Sequence, residues 1–156
     1  MHKNEQLIKD YKVQYVSKEV IAESADIIFI CFPHNSSTRY LIDKDYLFQL
    51  KKKPVLINIA RGGIVHTEEL LKALDANVIS GYATDVYEFE HGVFFYDRSK
   101  EIPKDPILHQ LLCHPKTLVT PHQGFATNEA LQAIISTTFE NLEAWKADKD
   151  SAHELS

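Results

Sequence analysis

The sequence predicts an α/β fold built on a doubly wound parallel sheet, and three observations carry that expectation. Apolar runs of strand length alternate with segments whose apolar residues recur at helical spacing. The two strongest runs, residues 26–32 (DIIFICF) and 54–60 (PVLINIA), are continuous rather than alternating, as strands covered on both faces are. Strands and helices in this rhythm imply parallel strands joined by right-handed crossovers.

The elements follow in order. Residues 12–16 (KVQYV) read as a short strand. Residues 17–24 open with a serine cap and carry Val20 and Ile21, the pattern of a short helix. Residues 26–32 form a strand ended by Pro33, and Cys31 within that apolar run reads as a buried thiol. Residues 43–50 place Tyr46, Leu47 and Leu50 at helical spacing, and residues 54–60 are the second buried strand. Thr67 is expected to cap a helix through Leu74, with Glu68 and Glu69 in the first turn, where the helix dipole favours acids. Residues 79–86 and 117–120 supply a third and a fourth strand, the last stopped by Pro121. Residues 127–146 form a long amphipathic helix, with Leu131, Ile134, Ile135, Phe139, Leu142 and Trp145 on roughly one face. All these apolar positions are expected to pack as core.

Composition narrows the function classes. A chain of 156 residues suffices for one domain with its own core. No apolar run approaches the length of a membrane span, and the polar residues 1–10 are not a signal peptide. A net charge of −5 argues against nucleic-acid and anionic-membrane partners. Cys31 and Cys113 show neither metal-ligand spacing nor a disulfide framework, so a cytoplasmic location is expected. No histidine pairs with acids or cysteines at convincing ligand spacing, so no metal is expected. His2 and His153 read as inert, and His34, His91, His109 and His114 as surface groups.

In parallel sheets of this kind, ligands bind beyond the carboxyl ends of the strands. Those ends fall at Phe32-Pro33, Ala60-Arg61, Asp85 and Pro121-His122, so an arginine, acids and a histidine collect there. An arginine offers a planar fork that grips a carboxylate through two parallel hydrogen bonds. A histidine gives or takes a proton near neutral pH, and a neighbouring glutamate favours its protonated form. Together they describe reduction of a 2-oxo acid, or the reverse oxidation, with hydride from a cofactor.

Four motifs carry a family resemblance. NIARGGIV (58–65), DVYEFE (85–90) and TPHQGF (120–125) resemble the arginine, acidic and histidine motifs of the D-2-hydroxyacid dehydrogenases, in the same order and at the same intervals. FPHNSSTRYLI (32–42) resembles the loop that lies against the cofactor in that family. HGVFFYDRSKEI (91–102) is longer than most family members have there, and resembles the insertion of the fermentative D-lactate dehydrogenases. The resemblance runs from about Lys3 to Lys146. It implies NAD as cofactor and a small 2-oxo or 2-hydroxy acid as substrate. It also implies Arg61 as carboxylate binder, His122 as general acid/base and Glu90 as its partner, with Glu88 the less favoured acid. Phe32, Pro33, Thr38, Ile59, Ala60, Arg61 and Asp85 would contact the cofactor, and Phe125 would wall the substrate pocket alongside Arg61 and His122. His66 departs from the family, which usually has Asp or Asn there, and reads as a helix-flanking residue.

A complete fold of this type has a glycine-rich turn after its first strand, which binds the pyrophosphate. No G-x-G-x-x-G occurs here, and Gly62 and Gly63 serve tight backbone geometry instead. The expected architecture is therefore a partial Rossmann-like sheet without its first βαβ unit: residues 1–156 as the C-terminal part of the NAD-binding domain plus the C-terminal helix, with no substrate domain. In the strand order 3-2-1-4-5-6 of such sheets, residues 26–32 take the place of strand 4 and residues 12–16 that of strand 3. Strand 4 is then left as an apolar edge, prone to pairing with a complementary fragment or a second copy, or to instability. The leading function is an oxidoreductase of D-lactate dehydrogenase type with little activity alone. The alternatives are a non-catalytic nucleotide-sensing or interaction protein and one half of a split dehydrogenase.

Overall fold

The computed structural model describes residues 3–97, 100 and 103–151. His2, His153 and residues 98, 99, 101 and 102 of the long stretch 91–102 lie outside them. The chain divides into two units, Met1–Pro121 and His122–Ser156.

The first unit is the expected parallel α/β sheet. Its elements are α1 (Glu5–Tyr11), α2 (Lys18–Ser24), β1 (Ile27–Ile30), α3 (Lys44–Leu47), β2 (Val55–Asn58), α4 (Thr67–Asp75), β3 (Gly81–Thr84), α5 (Pro106–Cys113) and β4 (Thr117–Val119). A 3-10 turn, Gly62–Ile64, joins β2 to α4. The four strands lie in the order β1-β2-β3-β4, every pair parallel, so all carboxyl ends share one edge. β1 is an outer strand, as its sequence position implied.

Side chains alternate across a strand, and the register separates two faces. Ile28, Leu56 and Tyr82 form one buried row, and Ile30, Asn58 and Thr84 the next. Leu47, Leu70, Leu74, Leu108 and Leu111 of α3, α4 and α5 belong to the same core cluster. The opposite face is open. Phe29, Ile57, Ala83 and Leu118 make a row across all four strands, with Phe29 60% and Leu118 65% exposed. Ile27 and Ile59 lie exposed on the same face. The expectation that residues 26–32 are buried on both faces is therefore corrected: the helices of this unit cover only one. Cys31 is exposed rather than buried, because β1 ends at Ile30 and the chain has already left the sheet.

Other expectations shift. Residues 12–16 are not a strand: Lys12, at φ +56°, closes α1, and the segment has no sheet partner. α1, capped by the Asn4 side chain on the Leu7 amide, and α5 were not anticipated. Ser17 holds the N-cap position of α2, as expected. Thr67 does not cap α4; His66 holds that position and makes no side-chain cap bond, so its helix-flanking placement is correct. His34, His91 and His109 are exposed, but His114 is largely buried, with Nε2 3.5 Å from the Asp75 carboxylate.

The second unit is α6 (Asn128–Lys146), capped by Thr127 Oγ1 on the Ala130 amide, and the loop before it. The apolar stripe expected as core is exposed, Phe139 at 61% and Trp145 at 58%. No helix among the described residues is long and apolar enough to cross a membrane.

Candidate active site

Loops leaving the carboxyl ends of β1, β2 and β3 build the site in the first unit. The first, residues 31–43, is pinned by its own side chains. Thr38 Oγ1 donates to the Pro33 carbonyl at 2.8 Å and accepts from the Asn35 amide at 2.8 Å. Asn35 Oδ1 accepts from the Ser37 and Thr38 amides at 2.9 and 3.2 Å. Thr38 thus fixes the Phe32-Pro33 turn from behind.

The second loop depends on Asn58, a fully buried amide at the end of β2. A buried polar side chain must find partners, and Asn58 finds them in the arginine motif. Its Nδ2 donates to the Arg61 carbonyl at 3.0 Å and its Oδ1 accepts from the Ala60 amide at 3.1 Å. Asn58 therefore sets the backbone on either side of Arg61. The Arg61 side chain is exposed, with Nη1 donating 2.7 Å to the Ala60 carbonyl. Cys31, Phe32, Pro33, His34, Ala60 and Arg61 line one cleft of about 430 Å³. Of the residues expected to meet the cofactor, the structure brings Phe32, Pro33, Ala60 and Arg61 together there. Ile59 is exposed on the open sheet face instead.

Close packing joins the second loop to the third. A Cβ on Gly62 would stand 2.0 Å from the Tyr87 carbonyl carbon and 2.2 Å from the Glu88 nitrogen. Only glycine lets the arginine and acidic motifs touch backbone to backbone. Gly63 faces the His34 ring, 3.0 Å from where its Cβ would lie.

In the third loop, the Asp85 amide donates to the Asn58 carbonyl at 3.1 Å, and its Oδ1 accepts from Thr120 Oγ1. Glu90 Oε2 accepts from the Tyr87 amide at 2.9 Å, closing a tight turn over 87–90. Glu90 lines a second cavity of about 410 Å³ with His91, Gly92, Phe94, Phe95 and Tyr96. The Tyr87 hydroxyl donates to Asp105 Oδ2 at 2.6 Å, while Asp105 Oδ1 caps α5 at Ile107 and Leu108. Burial, then this carboxylate, pushes the Tyr87 phenol far above its ordinary range.

His122 and Phe125 belong to the second unit. His122 is half-buried and has φ +51°, a left-handed conformation uncommon outside glycine and Asn/Asp. Phe125 is 47% exposed. No group of three histidine, cysteine or acidic side chains among the described residues could hold a metal ion.

Two residues of this region had no role in the sequence reading beyond their motif. Asn58 carries a recoverable signal, since asparagine is depleted in strands and stands here at the end of an apolar one. Glu88, left as the less favoured acid, accepts from the Thr67 amide at 3.0 Å and from the Tyr40 hydroxyl at 2.8 Å. Its partners are distant in sequence, so nothing local announces them.

The nicotinamide end of NAD needs an apolar wall beside polar anchors at a parallel-sheet edge. Phe32, Pro33, Ala60 and Arg61 lie together at such an edge. Comparison with known proteins supplies the family. Residues 1–124 match the NAD-binding domain of the D-isomer specific 2-hydroxyacid dehydrogenases. The chain is 40% identical over 135 residues to 2-hydroxyacid dehydrogenase homolog 1 of Schizosaccharomyces pombe, covering 86% of this chain and 41% of that protein. Its structure resembles a D-lactate dehydrogenase from Sporolactobacillus, with a TM-score of 0.90 and 34% identity, over 99% of this chain and 46% of that one. It also resembles the Aquifex aeolicus D-lactate dehydrogenase complexed with NAD and lactic acid, with a TM-score of 0.81 and 26% identity, over 94% of this chain and 44% of that one. The chain thus spans less than half the length of these relatives. Fold, cleft and similarity converge: the chain belongs to the D-isomer specific 2-hydroxyacid dehydrogenases, within the family of their NAD-binding domain.

Proposed function

We propose that the chain is the substrate-facing part of an NAD-dependent oxidoreductase of D-lactate dehydrogenase type, acting on a small 2-oxo acid such as pyruvate. The observation that carries this reading is Arg61. It is an exposed guanidinium at the end of a parallel strand, lining a cleft with Phe32 and Pro33, on a backbone held by buried Asn58.

In this reading Arg61 grips the substrate carboxylate with two parallel hydrogen bonds. His122 donates a proton to the carbonyl oxygen on reduction and takes it back on oxidation. Glu90 stabilises the imidazolium, so that an acid is available near neutral pH. Phe32, Pro33, Thr38 and Ala60 contact the cofactor, Asp85 sits near its nicotinamide, and Phe125 walls the substrate pocket. When bound, NADH supplies the hydride that no side chain can. The long stretch 91–102 favours lactate over bulkier acids, and the setting is the cytoplasm.

Without a glycine-rich phosphate turn the chain alone holds only half of a dinucleotide site, so little turnover is expected of it in isolation. One observation favours a second reading, one half of a split dehydrogenase: the apolar row Phe29–Ile57–Ala83–Leu118 lies open in the first unit. The test mixes the chain with NADH and pyruvate and follows NADH absorbance, with and without a polypeptide carrying the glycine-rich unit. Turnover is expected only with that polypeptide, and is expected to vanish in His122→Ala. Turnover that survives His122→Ala sinks the reading. NADH binding without turnover in the mixture transfers support to a nucleotide-sensing role.

A further inference from the structure

We propose that Glu88 is a positioning residue, a carboxylate joint that seats the acidic loop against the loops carrying the other site residues. The inference rests on Glu90 acting as the partner of the catalytic histidine. Glu88 is half-buried, and each of its oxygens is taken by a different element. Oε1 accepts from the Thr67 amide at 3.0 Å, on the helix that follows the Arg61 loop. Oε2 accepts from the Tyr40 hydroxyl at 2.8 Å, on the loop that carries Phe32, Pro33 and Thr38. One side chain thus binds all three loops.

Its surroundings fit that task. His66, at the N-cap of α4, makes no side-chain cap bond, so Glu88 caps the helix from another loop. Tyr40 is held at φ +50°, a conformation costly for a bulky residue. The Glu88 bond and the His66 ring, with centroids 4.8 Å apart, keep it there. Gly62 removes the Cβ that would push the Tyr87–Glu88 backbone away, so the acidic loop rests directly on the arginine loop. Glu90 lies in the same tight turn, with its amide donating to the Tyr87 carbonyl at 3.3 Å. Where Glu88 is seated therefore sets where the Glu90 turn stands.

The other two loops do not need Glu88 to stay together. Tyr40 donates through its amide to the Gly63 carbonyl at 2.9 Å, Ile42 to Ile64 at 3.1 Å, and His66 to Ile42 at 3.0 Å. Removing the carboxylate loosens the acidic loop alone, which keeps its Asp85 bond to the Asn58 carbonyl and its Tyr87 bond to Asp105. The expected signature is a loss of chemistry with cofactor binding retained.

The test uses the chain together with the polypeptide carrying the glycine-rich unit, as in the turnover assay above, with His122→Ala as control. Glu88→Ala is expected to lower kcat roughly tenfold or more, the scale of a small misplacement of a reacting group. The KM for NADH is expected to stay within about twofold. Glu88→Gln is expected to restore most of kcat, since its amide oxygen accepts from Thr67 and its NH2 donates to the Tyr40 oxygen. Amide hydrogen exchange at Thr67 and Tyr87–Glu90 is expected to accelerate in Glu88→Ala and not in Glu88→Gln. A lowered melting temperature with kcat per folded molecule unchanged overturns the proposal. If wild-type turnover does not depend on His122, the dehydrogenase reading has failed by itself. Exchange then decides the joint alone, and unaltered protection of Tyr87–Glu90 in Glu88→Ala rejects it.

Discussion

At the scale of single residues, the site rests on side chains that never reach a substrate. The place of Arg61 beyond the end of β2 was legible because it directly follows the apolar run 54–60. Asn58 and Glu88 were not, because their work lies in bonds to residues read as separate motifs. Gly62 shows how fine the tolerance is. A methyl group there meets backbone, which cannot swing aside as a flexible side chain can. Gly62→Ala is expected to lose about 3 kcal/mol, the upper range for overpacking. Gly92 is the internal contrast: it has φ +76° and, among the described residues, nothing within 4 Å of where a methyl group would stand. Gly92→Ala is expected to cost only the backbone term, about 1 kcal/mol. Urea midpoints of the two variants check the pair, and equal losses would contradict the contact seen at Gly62.

At the scale of elements, apolar continuity located the strands but misread what covers them. β1, β2, β3 and β4 all lie inside their expected segments. Pattern alone could not say that the second face of β1 stays open, since an apolar strand looks the same whether its cover lies on this chain or elsewhere. Residues 12–16 failed for a related reason. Alternation describes a strand only when a neighbour offers hydrogen bonds, and β1 is the outer member of the sheet. α5 had a readable signature, Asp105 then Pro106 before an apolar run, which is an N-cap followed by proline in the first turn. It lies beyond the 91–102 stretch and was assigned no element. The open face supplies a measurement. Phe29→Lys puts a charge on a side chain already 60% exposed, so its cost is expected to stay within about 0.5 kcal/mol. The same change is expected to abolish any association through that face, seen as loss of concentration dependence in sedimentation. A large loss of stability would mean that Phe29 is packed against something.

At the scale of the whole molecule, pH connects the core to stability. Burial pushes the Tyr82 phenol up to about 12 and moves Tyr87 still higher. The unfolded phenols ionise near pH 10. Between the two values the unfolded chain gives up protons that the folded chain retains, which draws the equilibrium toward unfolding. Stability from these tyrosines is therefore complete below about pH 10 and is lost as pH rises through the folded values. Alkaline titration by tyrosine absorbance is expected to show a late, cooperative fraction of the seven tyrosines ionising together with loss of helical signal. Tyr87→Phe is expected to shrink that step. Fully graded ionisation, with no structural change, would contradict it.

The open row has a dimension as well as a chemistry. Four strands leave three gaps of about 4.8 Å, so the row from Phe29 to Leu118 is about 14 Å across. A helix rising 1.5 Å per residue crosses that distance in about ten residues. A helix of three turns is long enough to dry every side chain in the row, which brings a cover for it within reach of a synthetic peptide.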